Sequence, residues 1–68
     1  GAPSARNIAE DVVDLVRIFY DCLGGAPRYA RQPRIVKEIC RGLKRSLIVR
    51  RFRTAGALRR HIEQIEWD

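Results

Sequence analysis

The sequence predicts a small all-α domain of four helices, its first helix packed on a tri-helical, helix-turn-helix-like unit. Three observations predict it. Apolar residues recur at every third or fourth position in separate stretches, the spacing that gathers them on one face of a helix. Helix punctuation divides those stretches, at Gly24-Gly25-Ala26-Pro27, at Pro33 and at Thr54. The one β-branched run, Ile48-Val49, has no second segment to pair with as a strand. Sixty-eight residues hold one domain, 1–68, in which residues 1–4 read as a tag remnant or a flexible start.

The first helix takes Ser4 as its N-cap. Ile8, Val12, Leu15, Phe19, Cys22 and Leu23 then recur on one face, with Val16 at its edge, while Glu10, Asp14, Arg17 and Asp21 fall opposite. Val13 and Tyr20 widen the apolar surface to one side, which reads as deep burial or as a docking or homodimer face. Gly24-Gly25 ends the helix, because glycine accepts the left-handed C′ conformation, and Ala26-Pro27 argues against an immediate restart. Residues 24–32 therefore read as a loop carrying Tyr29.

Pro33 suits the first turn of a second helix, whose apolar face is Val36, Ile39, Cys40, Leu43 and Leu47. Arg34, Lys37, Arg41 and Lys44 form the opposite stripe. Gly42 inside it weakens the helix by about 1 kcal/mol relative to alanine. Past Leu47 the pattern fails, since Arg50 rotates into the apolar face and Phe52 into the charged one. A break near Lys44–Ser46 repairs it. A short helix over residues 47–53 then buries Ile48 and Phe52. Thr54 caps the last helix, with Leu58, Ile62 and Ile65 inward and Gly56, Arg60, Glu63, Gln64 and Trp67 outward.

Charge is distributed unevenly along this frame. Residues 26–60 carry twelve lysines and arginines against one acid, Glu38, a net +11, whereas residues 1–25 sum to −2 and residues 61–68 to −3. Such polarity attracts polyanions or acidic protein surfaces. Ten of the twelve cations are arginine, whose planar fork favours two-point contact with phosphate or carboxylate.

The leading functional reading is a nucleic-acid-binding domain in which Arg34, Lys37, Arg41, Lys44, Arg45, Arg50, Arg51 and Arg53 meet phosphates and Arg59 and Arg60 lie closest to the bases. The order of helices resembles a helix-turn-helix core, which would send the residues after Thr54 into the major groove. The turn carries Arg53 where glycine is common in that motif. The alternative is a protein-interaction module that docks an acidic or amphipathic helical segment of a partner, with Tyr20, Tyr29 and Trp67 as anchors.

Other classes have less support. His61 is the sole histidine and reads as a partly buried structural residue with no nucleophile or substrate pocket around it. Cys22 and Cys40 sit on apolar faces and read as small buried hydrophobes in a reducing, intracellular compartment, nuclear or cytoplasmic, with a disulfide between them as the sharper alternative. Their spacing to His61 matches no metal site. No enzyme activity, cofactor or metal is expected. No run of residues reaches the length needed to span a bilayer, and no signal-peptide pattern opens the chain.

Overall fold

Val12 and Val16 lie one helical turn apart, and Val13 sits beside them. In the computed structural model these three valines form the inner line of α1 (Ala5–Cys22) and are buried. The structure describes residues 5–66. The Ser4 cap, residues 1–4 and Trp67 lie outside that range. Four further helices follow: α2 (Ala26–Tyr29), α3 (Arg34–Cys40), α4 (Arg45–Arg51) and α5 (Ala55–Glu63), with a single 3₁₀ turn at Arg41–Leu43. Helix α1 packs against α3, α4 and α5. The core between them is Val12, Val13, Val16, Val36, Ile39, Cys40, Ile48, Phe52 and Leu58. Among the described residues it holds no buried polar or charged side chain.

The expected four helices are thus five, because the loop after α1 is not helix-free. Gly24 (φ 107°) and Gly25 (φ 63°) turn the chain out of α1, and the Gly25 N–H donates to the Tyr20 carbonyl at 3.0 Å. A one-turn helix then begins directly at Ala26, with Pro27 in its first turn. Proline is tolerated there because first-turn amides have no helical acceptor to lose. The segment is tied down on its far side. Gln32 Nε2 donates to the Leu23 carbonyl at 2.8 Å, and Lys37 Nζ donates to the Ala30 carbonyl at 2.8 Å.

The second correction concerns the break after α3. The helix stops at Cys40, before the expected break, and residues 41–43 all take positive φ: Arg41 49°, Gly42 63° and Leu43 60°. This left-handed turn separates α3 from α4. Gly42 is therefore not a weak helix-interior residue but the one residue of the three that suits this conformation. Tyr29 holds the turn from outside, its hydroxyl accepting the Gly42 N–H at 3.0 Å. The Tyr29 ring in turn packs on Tyr20, with centroids 5.4 Å apart.

Because α3 ends at Cys40, α4 starts earlier than expected, after an extended Lys44, and ends at Arg51. Ile48 and Phe52 are both buried, as their spacing predicts, and Ile48-Val49 is helical rather than a strand. Thr54 caps α5 as expected, with its Oγ1 accepting the Ala57 N–H at 3.1 Å. Leu47, placed on the buried face by a continuous helix, instead remains 38% exposed on α4.

The two cysteines divide. Cys40 is buried, but Cys22 is exposed and both are free thiols, which overturns the reading of two buried hydrophobes for Cys22. Six residues beyond Val16, Cys22 falls about 120° off the buried line of α1. Burial pushes the Cys40 thiol up to about 11.

Candidate nucleic-acid interface

The fold sorts the ten cations singled out in the sequence by what lies next to them. Arg34 Nε lies 3.2 Å from Glu38 Oε1, one turn further along α3. Arg45 reaches across to Glu10 of α1 at 3.9 Å. Arg59 Nε lies 3.2 Å from Glu63 Oε1, where it also forms a hydrogen bond. Lys37 spends its ammonium on the Ala30 carbonyl. The expected row of Arg34, Lys37, Arg41 and Lys44 along one helix is therefore absent. Its first two members are engaged with Glu38 and the Ala30 carbonyl, and Arg41 and Lys44 fall beyond the end of α3 at Cys40.

Five other arginines come together. Arg41, Arg50 and Arg51 surround Leu47 in one surface depression of about 290 Å³. Arg50 and Arg51 also border a larger groove of about 540 Å³, which Arg53 and Arg60 complete, with Phe52, Ala57, His61 and Gln64. Since Arg50 and Arg51 belong to both, the two depressions form one continuous surface. It runs from the 41–43 turn over the end of α4 to the outer side of α5. Among the described residues, none of these five arginines is in a salt bridge.

The local reasons for this gathering are few. Helix α4 buries Ile48, which turns Arg50, two residues on, to the outer side, while Arg51 stays exposed at the flank of the buried face. The extended Phe52 (φ −126°, ψ 115°) sends its ring inward and leaves Arg53 outside. The Arg51 guanidinium lies 4.8 Å from the Phe52 ring centroid, a cation–π contact that restricts one wall of the groove. The Phe52 ring also meets His61 at 5.2 Å between centroids. His61 is half-buried, as expected, and its ring forms part of the groove wall.

Helix α5 separates two neighbours in sequence. Arg60 borders the arginine groove with Ala57, His61 and Gln64, whereas Arg59 faces α1 with Gly56 and Glu63. The pair expected to lie closest to the bases is thus split between two different faces of the helix. Lys44 is exposed at the start of α4 but borders neither depression. Tyr20 and Tyr29 are half-buried and engaged with one another and with the 41–43 turn, while Trp67 lies outside the described residues.

Sequence reasoning did not find the surface that Arg59 faces. Between α1 and α5, Leu15, Ile18, Phe19, Cys22 and Ile62 line an apolar channel, and Ile18 is 60% exposed. The signal was available in Ile18, which extends the apolar stripe of α1 beyond Leu15 and Cys22, on the side away from Val13 and Tyr20. Among the described residues no group of His, Cys, Asp and Glu side chains is placed to hold a metal ion, and no helix is long and apolar enough to cross a membrane. No protein-family model, curated protein or solved structure matches this chain.

Proposed function

We propose that this domain binds nucleic acid through its phosphodiester backbone, using Arg41, Arg50, Arg51, Arg53 and Arg60. The observation that carries this reading is their convergence on one continuous surface without carboxylate partners, whereas Arg34, Arg45 and Arg59 are each paired with a glutamate. Phosphate is the favoured ligand because an arginine fork offers two parallel donors to it, and each neutralised phosphate releases condensed counterions. Base readout contributes less. The first residues of α5, Ala55 and Gly56, face α1 rather than the arginine groove, so a recognition helix entering by its N-terminus finds little support. Arg60 of α5 and Gln64, which follows the helix, border the groove with side chains of the kind that can hydrogen-bond base edges.

The test is a binding titration against duplex and single-stranded oligonucleotides at several salt concentrations. Five phosphate contacts to a duplex give a slope of log K against log salt of about −4.5, or about a 500-fold loss between 50 and 200 mM salt. The variant Arg50→Gln/Arg51→Gln lowers the slope by about 1.8. The variant Arg34→Gln/Arg59→Gln, which removes arginines already paired with Glu38 and Glu63, changes it by less than about 0.5. A salt-independent response, or equal effects from the two double variants, would refute the proposal.

A further inference from the structure

The second surface carries an inference of its own. Helices α1 and α5 run parallel along it. Asp11 and Asp14 sit beside Ala55 and Gly56 at one end, and Phe19 and Cys22 sit beside Ile62 and Glu63 at the other. Two depressions of about 380 and 430 Å³ share Leu15, Ile18 and Arg59, so they form one channel. From Asp11 to Cys22 it is about 16 Å long, or three helical turns. Its apolar floor includes Ile18, the most exposed large hydrophobic residue among those described. Its rim is not basic. Arg59 is paired with Glu63 at 3.2 Å, which leaves Asp11 and Asp14 as the net charge of the channel in a protein of net charge +6.

We propose that this channel docks an amphipathic helical segment of a partner protein that presents an apolar ridge and a basic last turn. Length and floor suit a three-turn helix with apolar side chains at every third or fourth residue. Charge then sets its chemistry and direction. Its lysines or arginines belong at the Asp11–Asp14 end. Cations are most favourable in the last turn of a helix, so the segment lies antiparallel to α1 and α5, where its dipole also opposes theirs. A second copy of α1 does not meet these requirements. Its last turn carries no basic residue, and antiparallel packing would bring its Asp21 toward Asp11 and Asp14. The expected acidic segment would meet the same repulsion here.

The experiment uses methyl-labelled domain and two synthetic helical peptides of equal apolar content, one ending in lysines and one in glutamates. The lysine-ended peptide is expected to shift the Leu15, Ile18 and Ile62 methyl signals. Its affinity should fall at least tenfold in Ile18→Asp and again in Asp11→Lys/Asp14→Lys, with nucleic-acid binding by Ile18→Asp unchanged. Both sites are exposed, and an unchanged melting temperature shows that each variant is folded. Four results would each overturn the proposal. They are equal binding of the two peptides, shifts confined to the arginine surface, no shift at the channel methyls, and concentration-dependent shifts of those methyls without peptide, which mark self-association.

Discussion

Arg41 offers a sign test of the left-handed turn on which the arginine surface depends. Its backbone angles, φ 49° and ψ 35°, lie in a region that costs an L-residue about 1–2 kcal/mol and glycine almost nothing. Replacement by glycine relieves that strain but adds about 0.5–1 kcal/mol of unfolded-chain entropy. Arg41→Gly should therefore be more stable than Arg41→Ala by about 0.5–1 kcal/mol. A continuous helix through residue 41 demands the reverse, with alanine ahead by about 1 kcal/mol. The two geometries differ by about 1.5–2 kcal/mol in this one comparison, with opposite signs. Both variants lose the same charge, so electrostatics cancels. In a domain of this size 1 kcal/mol moves the melting temperature by about 4–8 °C, well within reach of thermal unfolding followed by circular dichroism. An Arg41→Ala protein as stable as Arg41→Gly would refute the turn and with it the placement of Arg41 beside Arg50 and Arg51.

Four further outcomes follow from other features of the fold. Tyr29→Phe removes only the acceptor for the Gly42 N–H and should cost about 0.5–1 kcal/mol, whereas Tyr29→Ala also loses the packing on Tyr20 and should cost clearly more; equal urea midpoints for the two would count against the hydroxyl contact. Thr54→Ala should cost about 1 kcal/mol and Thr54→Ser a fraction of that, read from the same denaturant titration. Iodoacetamide should modify Cys22 in the native protein and Cys40 only on unfolding, as peptide mapping would show. The Cys40 thiol is held neutral to about 11 when folded but ionises near its ordinary 9.0 when unfolded. Its contribution is thus fully present below pH 9 and is lost as pH rises to 11, by about 2–3 kcal/mol in all. That part of the alkaline decline should be missing in Cys40→Ala.

Local signals account well for some elements and poorly for others. The caps and periodic faces were legible: Thr54 sits where its hydroxyl is needed, Gly24-Gly25 ends α1, and Ile48 and Phe52 are buried on the spacing that suggested them. What escaped was set by tertiary contact. Nothing local to Arg41-Gly42-Leu43 announces three successive left-handed residues, because the tyrosine that supports them lies thirteen positions away. The same holds for the cations. Composition locates the charge but not the carboxylates across the fold, and it is Glu10, Glu38 and Glu63 that remove Arg45, Arg34 and Arg59 from the candidate interface. Cys22 was misplaced for a related reason. An apolar stripe wider than one packing partner can cover leaves one of its edges outside, and only the position of α5 decides which.

The position of α5 also decides whether the domain's two surfaces can be used together. Arg59 and Arg60 are adjacent in the chain, yet about 100° of helix rotation sends the first toward α1 and the second toward α4. Among the described residues, none borders both the arginine groove and the apolar channel. An occupant of one therefore does not displace an occupant of the other by direct overlap. Any coupling has to pass through the packed interior, and Leu58, fully buried on the same helix, is the natural route. Where that interior is unaltered, Arg60→Gln should weaken polyanion binding alone and Ile18→Asp peptide binding alone. The double variant should show the sum of the two, as expected for sites without shared contacts. A departure from additivity larger than about 0.5 kcal/mol would mean that α5 moves when either surface is filled.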